Sequence, residues 1–194
     1  MTRGTGGPLS GWGGVTSSDR PATRRSGGQR GQRGQGLVEF ALVAPILLFL
    51  FFAVLEGSLL IFTIGAFRYA ASNGAIQAAE LGSASDADTQ AVQVVRTSPG
   101  LTNLATVTEI DIYRVIQSGG QFVPDASAYN KYNLDGSAIS VTWTPASRNV
   151  RNGFTDFLGL TIYYTYSWRS GKLLGAQPFH LSQTYDVRLE PQSY

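Results

Sequence analysis

The sequence predicts an α+β chain: a single N-terminal transmembrane helix that extends beyond the membrane, then a small antiparallel four-stranded sheet domain with short helices. Three observations carry this. An apolar run opens near Phe40 and continues with few breaks to Phe67. Alanines at helical spacing follow it, from Ala70 to Ala79. Several stretches beyond residue 100 alternate apolar and polar residues with period two.

A helix needs about 20 mainly apolar residues to cross a hydrocarbon core of about 30 Å. Phe40 to Ile64 satisfies this. Each Phe, Leu, Ile or Val there contributes about −0.3 to −0.6 kcal/mol to insertion, against about +3 kcal/mol for one acid such as Glu56, so insertion wins. The same run buried in a soluble core would need partners on every side. It is also too long for a cleaved secretory h-region of about 7–15 residues, and it contains Pro45 and Glu56.

Arg3, Arg20, Arg24, Arg25, Arg30 and Arg33 precede the run against a single acid, Asp19. Positive charge on the cytoplasmic side places the N-terminus inside and the C-terminal domain outside. The basic balance, a pI of about 9.0, is therefore topological, since the region after Phe67 is close to neutral. The Gly-Gln-Arg repeat across Gly28 to Arg33 also suits a nucleic-acid-binding arm, but its position beside a span favours topology, and no nucleic acid is expected as a partner.

The boundaries expected are 1–34, a disordered basic Gly/Arg-rich cytoplasmic leader; 35–82, the transmembrane and extended helix; and 83–194, an extracytoplasmic α+β domain. That domain has roughly 110 residues, enough for one modest core. Ser85 with Asp88 three residues on predicts a capping box, and Ala87, Ala91, Val94 and Val95 an apolar helical face stopped by Ser98-Pro99-Gly100. Strand stripes follow at Val107 to Ile116, Ile139-Val141-Trp143, Ile162-Tyr164-Tyr166-Trp168 and Tyr185-Val187-Leu189. Val150, Phe154, Phe157 and Leu158 have helical spacing. An aromatic ladder in the sheet could bind bases or sugars, though alternation favours core packing.

Chemistry finds little footing. There is no cysteine, which excludes thiol nucleophiles, disulfides and thiolate metal sites. His180 stands alone after Pro178-Phe179 in an expected turn, with no nucleophile motif around it. Asp86 and Asp88 are read as first-turn acids rather than metal ligands. No enzyme activity, metal or cofactor is expected.

Gly34-Gln35-Gly36-Leu37-Val38-Glu39-Phe40-Ala41-Leu42-Val43-Ala44-Pro45 has a glycine after basic residues, a glutamate five positions on, an aromatic next and then a proline-containing apolar helix. This resembles the type III signal of type IV pilins. With Glu56 near the end of the run, it resembles more narrowly the TadE/TadG-type pilin-like proteins of the tight-adherence (Flp) pilus system. The resemblance covers about Gly34 to Gly82. It implies a pilin-like minor pilin, longer than the very short major Flp pilin, in the cytoplasmic (inner) membrane or at the pilus and cell surface. Its implied partners are a prepilin peptidase, other pilin subunits, the inner-membrane pilus assembly platform and the lipid bilayer.

Of Gly31, Gly34 and Gly36, only Gly34 puts Glu39 at the fifth position of a product beginning at Gln35. The resemblance implies cutting between Gly34 and Gln35, with Glu39, Phe40, Pro45 and Glu56 serving recognition and assembly and Glu39 pairing with the new amine of Gln35. Without it, Glu39 is an interfacial acid favoured by the helix dipole. Glu56 lies about 25 Å along the helix from Glu39, where its carboxylate is expected to reach water. Pro45 should kink or loosen a turn. Leu173 and Leu174 are candidates for subunit contact. The alternatives to a pilin-like protein are a permanently signal-anchored extracytoplasmic sensor or adhesin and, behind it, a tethered enzyme.

Overall fold

The computed structural model describes residues 29–101, 105–151, 153–169 and 177–192. Helix α1 covers Gln29–Leu81, and α2 covers Ala87–Thr97. Five strands follow: β1 Ala105–Ser118, β2 Gln121–Tyr132, β3 Ala138–Val141, β4 Phe157–Tyr166 and β5 Phe179–Arg188. They form one antiparallel sheet in the order β3-β2-β1-β4-β5. The chain divides into two units between Pro45 and Ile46.

Within the second unit, α1 changes character along its length. Residues 46–55 are apolar and exposed throughout, and burial begins at Glu56. Beyond it, Thr63, Phe67, Ala70, Ala71, Gly74, Ala75, Ala78 and Ala79 are all buried. Their spacing traces one face of a 3.6-residue helix. The short side chains bring the helix axis close to the sheet, and a Cβ on Gly74 would lie 2.7 Å from Val95 Cγ2 and 3.1 Å from Leu160 Cδ1. Gly74 is thus the point where α1, α2 and β4 converge.

The sheet presents Ile110 and Ile112 of β1 and Leu158, Leu160, Ile162 and Tyr164 of β4 to the helices, with Ala91, Val92 and Val95 of α2 in the same core. Both helices therefore share the apolar face. The Phe67 and Tyr164 rings stack at 3.7 Å between centroids, so part of the expected aromatic stripe is core.

α1 stops where Gly82 adopts φ +55°, its N–H reaching the Ala78 carbonyl at 3.0 Å. This is a left-handed helix stop, which glycine tolerates best. The segment after β5 returns to this point: Glu190 N–H donates to Ala79 O at 3.2 Å, and the Gln192 side-chain amide donates to Leu81 O at 2.7 Å. The chain end thereby satisfies carbonyls that a helix terminus leaves open.

A buried polar cluster ties α2 to the sheet. Asp88, only 3% exposed, accepts from Asn130 Nδ2 at 2.8 Å and Tyr132 Oη at 2.8 Å, and forms an ion pair with the buried Arg148. The Arg148 guanidinium lies over the Trp143 ring, 4.7 Å from its centroid.

Four expectations change here. The sheet has five strands, not four. The added one, β2, has few β-branched residues and carries Pro124, which sits at a register shift opposite Tyr113–Val115 where a proline is tolerated. The capping box is not made: Asp86 stands at the N-cap without a side-chain cap bond, and Asp88 is committed to Arg148. The described residues from Val150 to Leu158 form no helix; Phe154 is exposed, while Phe157 and Leu158 open β4 on opposite faces. Ile139 and Val141 occupy the short edge strand and stay exposed, leaving only Trp143 of that stripe in the core.

On the sheet's other face Tyr113 and Tyr129 stack at 5.0 Å, Tyr113 Oη lies 3.0 Å from Thr161 Oγ1, and Tyr129 Oη donates to Asp111 Oδ2 at 2.6 Å. Tyr113 lies across Gly159, where a Cβ would come within 2.3 Å of its ring. Asp111 is 1% exposed. Burial, only partly opposed by the Tyr129 hydrogen bond, pushes its carboxyl up from 3.8 to about 6.

Two predictions follow from this packing. Gly74→Val should destabilise the folded chain by about 1–3 kcal/mol through overpacking, measured by urea denaturation in detergent, whereas Gly65→Val, with nothing within 4 Å of its Cβ position, should not. A raised folded-state pKa means that Asp111 contributes stability in full below 3.8 and loses it as pH rises through about 6. Asp111→Asn, which keeps an acceptor for Tyr129, should therefore raise stability at about pH 8 and not at about pH 3. An equal effect at both would contradict the burial argument.

Candidate assembly segment on the N-terminal helix

The sequence-predicted residues lie along α1. In the first unit, Gly34 and Gln35 fall inside the helix, and Gln35 Nε2 donates to Glu39 Oε1 at 3.0 Å across one turn. Both residues are exposed, as is Phe40. The register that would put the amine of a chain beginning at Gln35 near Glu39 already brings the Gln35 side chain to it. A Cβ at Gly34 or Gly36 would meet nothing within 4 Å, so packing requires neither glycine. Each weakens the helix by about 1 kcal/mol relative to alanine.

α1 continues through Pro45. Proline has no N–H for the carbonyl four residues back, so one rung of the helix ladder is missing.

Glu56, in the second unit, departs from expectation. Its carboxylate is not turned to water but is 4% exposed. Tyr166 Oη donates to Glu56 Oε1 at 2.9 Å, and the Arg169 backbone N–H donates to the same oxygen at 2.8 Å. Protein donors replace the water that an interfacial acid would use. Burial and the nearby carboxylate together push the Tyr166 hydroxyl up to about 12. Sequence reasoning missed both partners: Tyr166 read as one more residue of a strand stripe, and a backbone donor has no residue signature.

Leu173 and Leu174 lie outside the described residues. His180 is the second residue of β5 rather than part of a turn; it is exposed, with Nδ1 3.1 Å from Thr165 Oγ1. Among the described residues no group of three or more His, Cys, Asp or Glu could hold a metal ion.

Glu56→Ala would strip two donors of their acceptor, and a buried donor left unsatisfied costs about 1–3 kcal/mol. Amide exchange at Arg169 should accelerate in Glu56→Ala and be largely restored in Glu56→Gln, which keeps an acceptor oxygen. Equal exchange in all three chains would show that the carboxylate holds nothing.

α1 is long and apolar enough to cross a membrane, and no residue of its apolar window is buried. The family model described as TadE-like protein matches residues 34–75. No curated protein and no solved structure matches the chain. Residues 34–75, which hold Glu39, Phe40, Pro45 and Glu56, are accordingly a TadE-like segment.

Proposed function

We propose that the protein is a non-enzymatic, pilin-like subunit held in the cytoplasmic membrane by α1, with its N-terminus in the cytoplasm and its sheet domain outside. A prepilin peptidase removes the leader after Gly34, and the mature chain supports assembly of a tight-adherence pilus as a minor pilin, together with other pilin subunits and the inner-membrane platform. The observation that supports this reading is the TadE-like match over residues 34–75, a stretch that lies within α1.

The local chemistry is compatible with processing. A protease needs an extended backbone, whereas the Gly34–Gln35 bond lies in a helix. Two glycines that packing does not require lower the cost of unwinding there. Once the bond is cut, the amine of Gln35 and the Glu39 carboxylate neutralise one another in the same turn, which offsets the cost of burying either charge among neighbouring apolar helices.

Intact-mass measurement of the protein from its native membrane tests the reading. The expected mass is that of a chain beginning at Gln35, and full-length chain when the peptidase is deleted. Full-length chain in both strains would favour the permanently anchored sensor or adhesin. Glu39→Ala should leave insertion intact and impair assembly in a complementation assay.

A further inference from the structure

The corner between β4 and β5 lies where α1 leaves the sheet domain. Tyr166 Oη and the Arg169 N–H both reach Glu56, so Trp168 is held at the level of Glu56. Phe179, which opens β5, is at the same level: the Trp168 ring is 5.1 Å from that of Phe179 and 5.7 Å from that of Tyr166, edge-on in each case. Tyr166 is buried, Trp168 half-buried, Phe179 44% exposed, and Arg169 exposed.

On α1 just before this level, residues 46–55 are apolar and uncovered. Ten such residues make about 15 Å of apolar helix surface, which suits the hydrocarbon of a bilayer. Gly100 sits further out. A Cβ on Gly100, after α2, would lie 3.5 Å from the Phe62 ring, and Phe62 is about 9 Å beyond Glu56 along the helix. The β4–β5 corner, at its described residues, is thus nearer the bare helix than Gly100 is. It carries an indole, a phenyl ring and a guanidinium, the side chains that partition to the boundary between hydrocarbon and lipid headgroups.

We propose that this corner, through Trp168, Phe179 and Arg169, docks into the headgroup layer of the bilayer that α1 crosses, the rings at the hydrocarbon boundary and the guanidinium at the lipid phosphates. The domain then has a second attachment to the membrane beside its helix, which sets its height and restricts rotation about α1. This rests on the membrane-anchored reading above.

Trp168 is its own probe. Full-length protein in nanodiscs of phosphatidylcholine and phosphatidylglycerol is compared with Trp168→Phe, so that the difference in emission belongs to Trp168. Lipids brominated near the headgroup should quench that difference strongly and lipids brominated near the chain ends weakly. Arg169→Glu, whose backbone N–H still reaches Glu56, should lessen the shallow quenching, more so in phosphatidylglycerol than in phosphatidylcholine alone. Phe51→Trp in the Trp168→Phe background reports the span separately and should be quenched by the deep bromines. Phe51→Trp quenched with Trp168 untouched would overturn the docking and leave the anchor standing; neither quenched would overturn both.

Discussion

The second unit depends on one helix serving two environments without a break. From Ile46 to Leu55 the α1 surface is apolar and bare, and from Glu56 it is the core element of a folded domain. The change occurs at a carboxylate that has left water. Such a group is tolerable only where donors are fixed in advance, and here they come from the end of β4 and the residues just after it. Glu56 therefore sets where the sheet sits along the helix.

Further out, the register is kept by shape rather than charge. The alanines and Gly74 of α1 offer little side-chain volume, so the sheet and α2 approach closely and their larger residues fill the space. Dense packing of this kind does not slide, because a shift of one residue would drive Val95 or Leu160 against a side chain. At the far end, Gln192 and Glu190 close over the last turn of α1. The Asp88–Arg148 pair joins α2 to the loop after β3. Both charges are buried, as are Asn130 and Tyr132, which donate to Asp88, so removing either charge would strand the other; breaking such a pair costs about 3–5 kcal/mol. The pair's value is in specifying one arrangement of α2 against the sheet.

Much of this was legible from residue pattern. The apolar run, the alanine spacing and Gly82 predicted α1 and its end, and the alternation of Ile162, Tyr164 and Tyr166 predicted the inward face of β4. What escaped depended on tertiary partners. β2 is an interior strand whose inward residues are Ala128, which joins the apolar core, and Asn130 and Tyr132, which bind Asp88, so it lacks the apolar stripe that marks its neighbours. Phe157 and Leu158 read as one helical face because spacing alone cannot tell a turn entering a strand from a helix. Glu56 was recognisable as an acid in an apolar helix, but not as buried, since the groups that bury it lie more than a hundred residues away in sequence.

The TadE-like segment thus includes both the glycine and glutamate register near Gln35 and the carboxylate on which the sheet domain rests. The division of α1 at Glu56 is open to a direct test because the chain contains no cysteine. Single cysteines at Leu50, Val54, Tyr69 and Ile76 can be labelled with a membrane-impermeant maleimide in intact cells whose outer surface has been made accessible. Tyr69 and Ile76, exposed beside the domain, should label readily while Leu50 and Val54 resist. Labelling of Leu50 and Val54 as fast as Tyr69 would contradict the division.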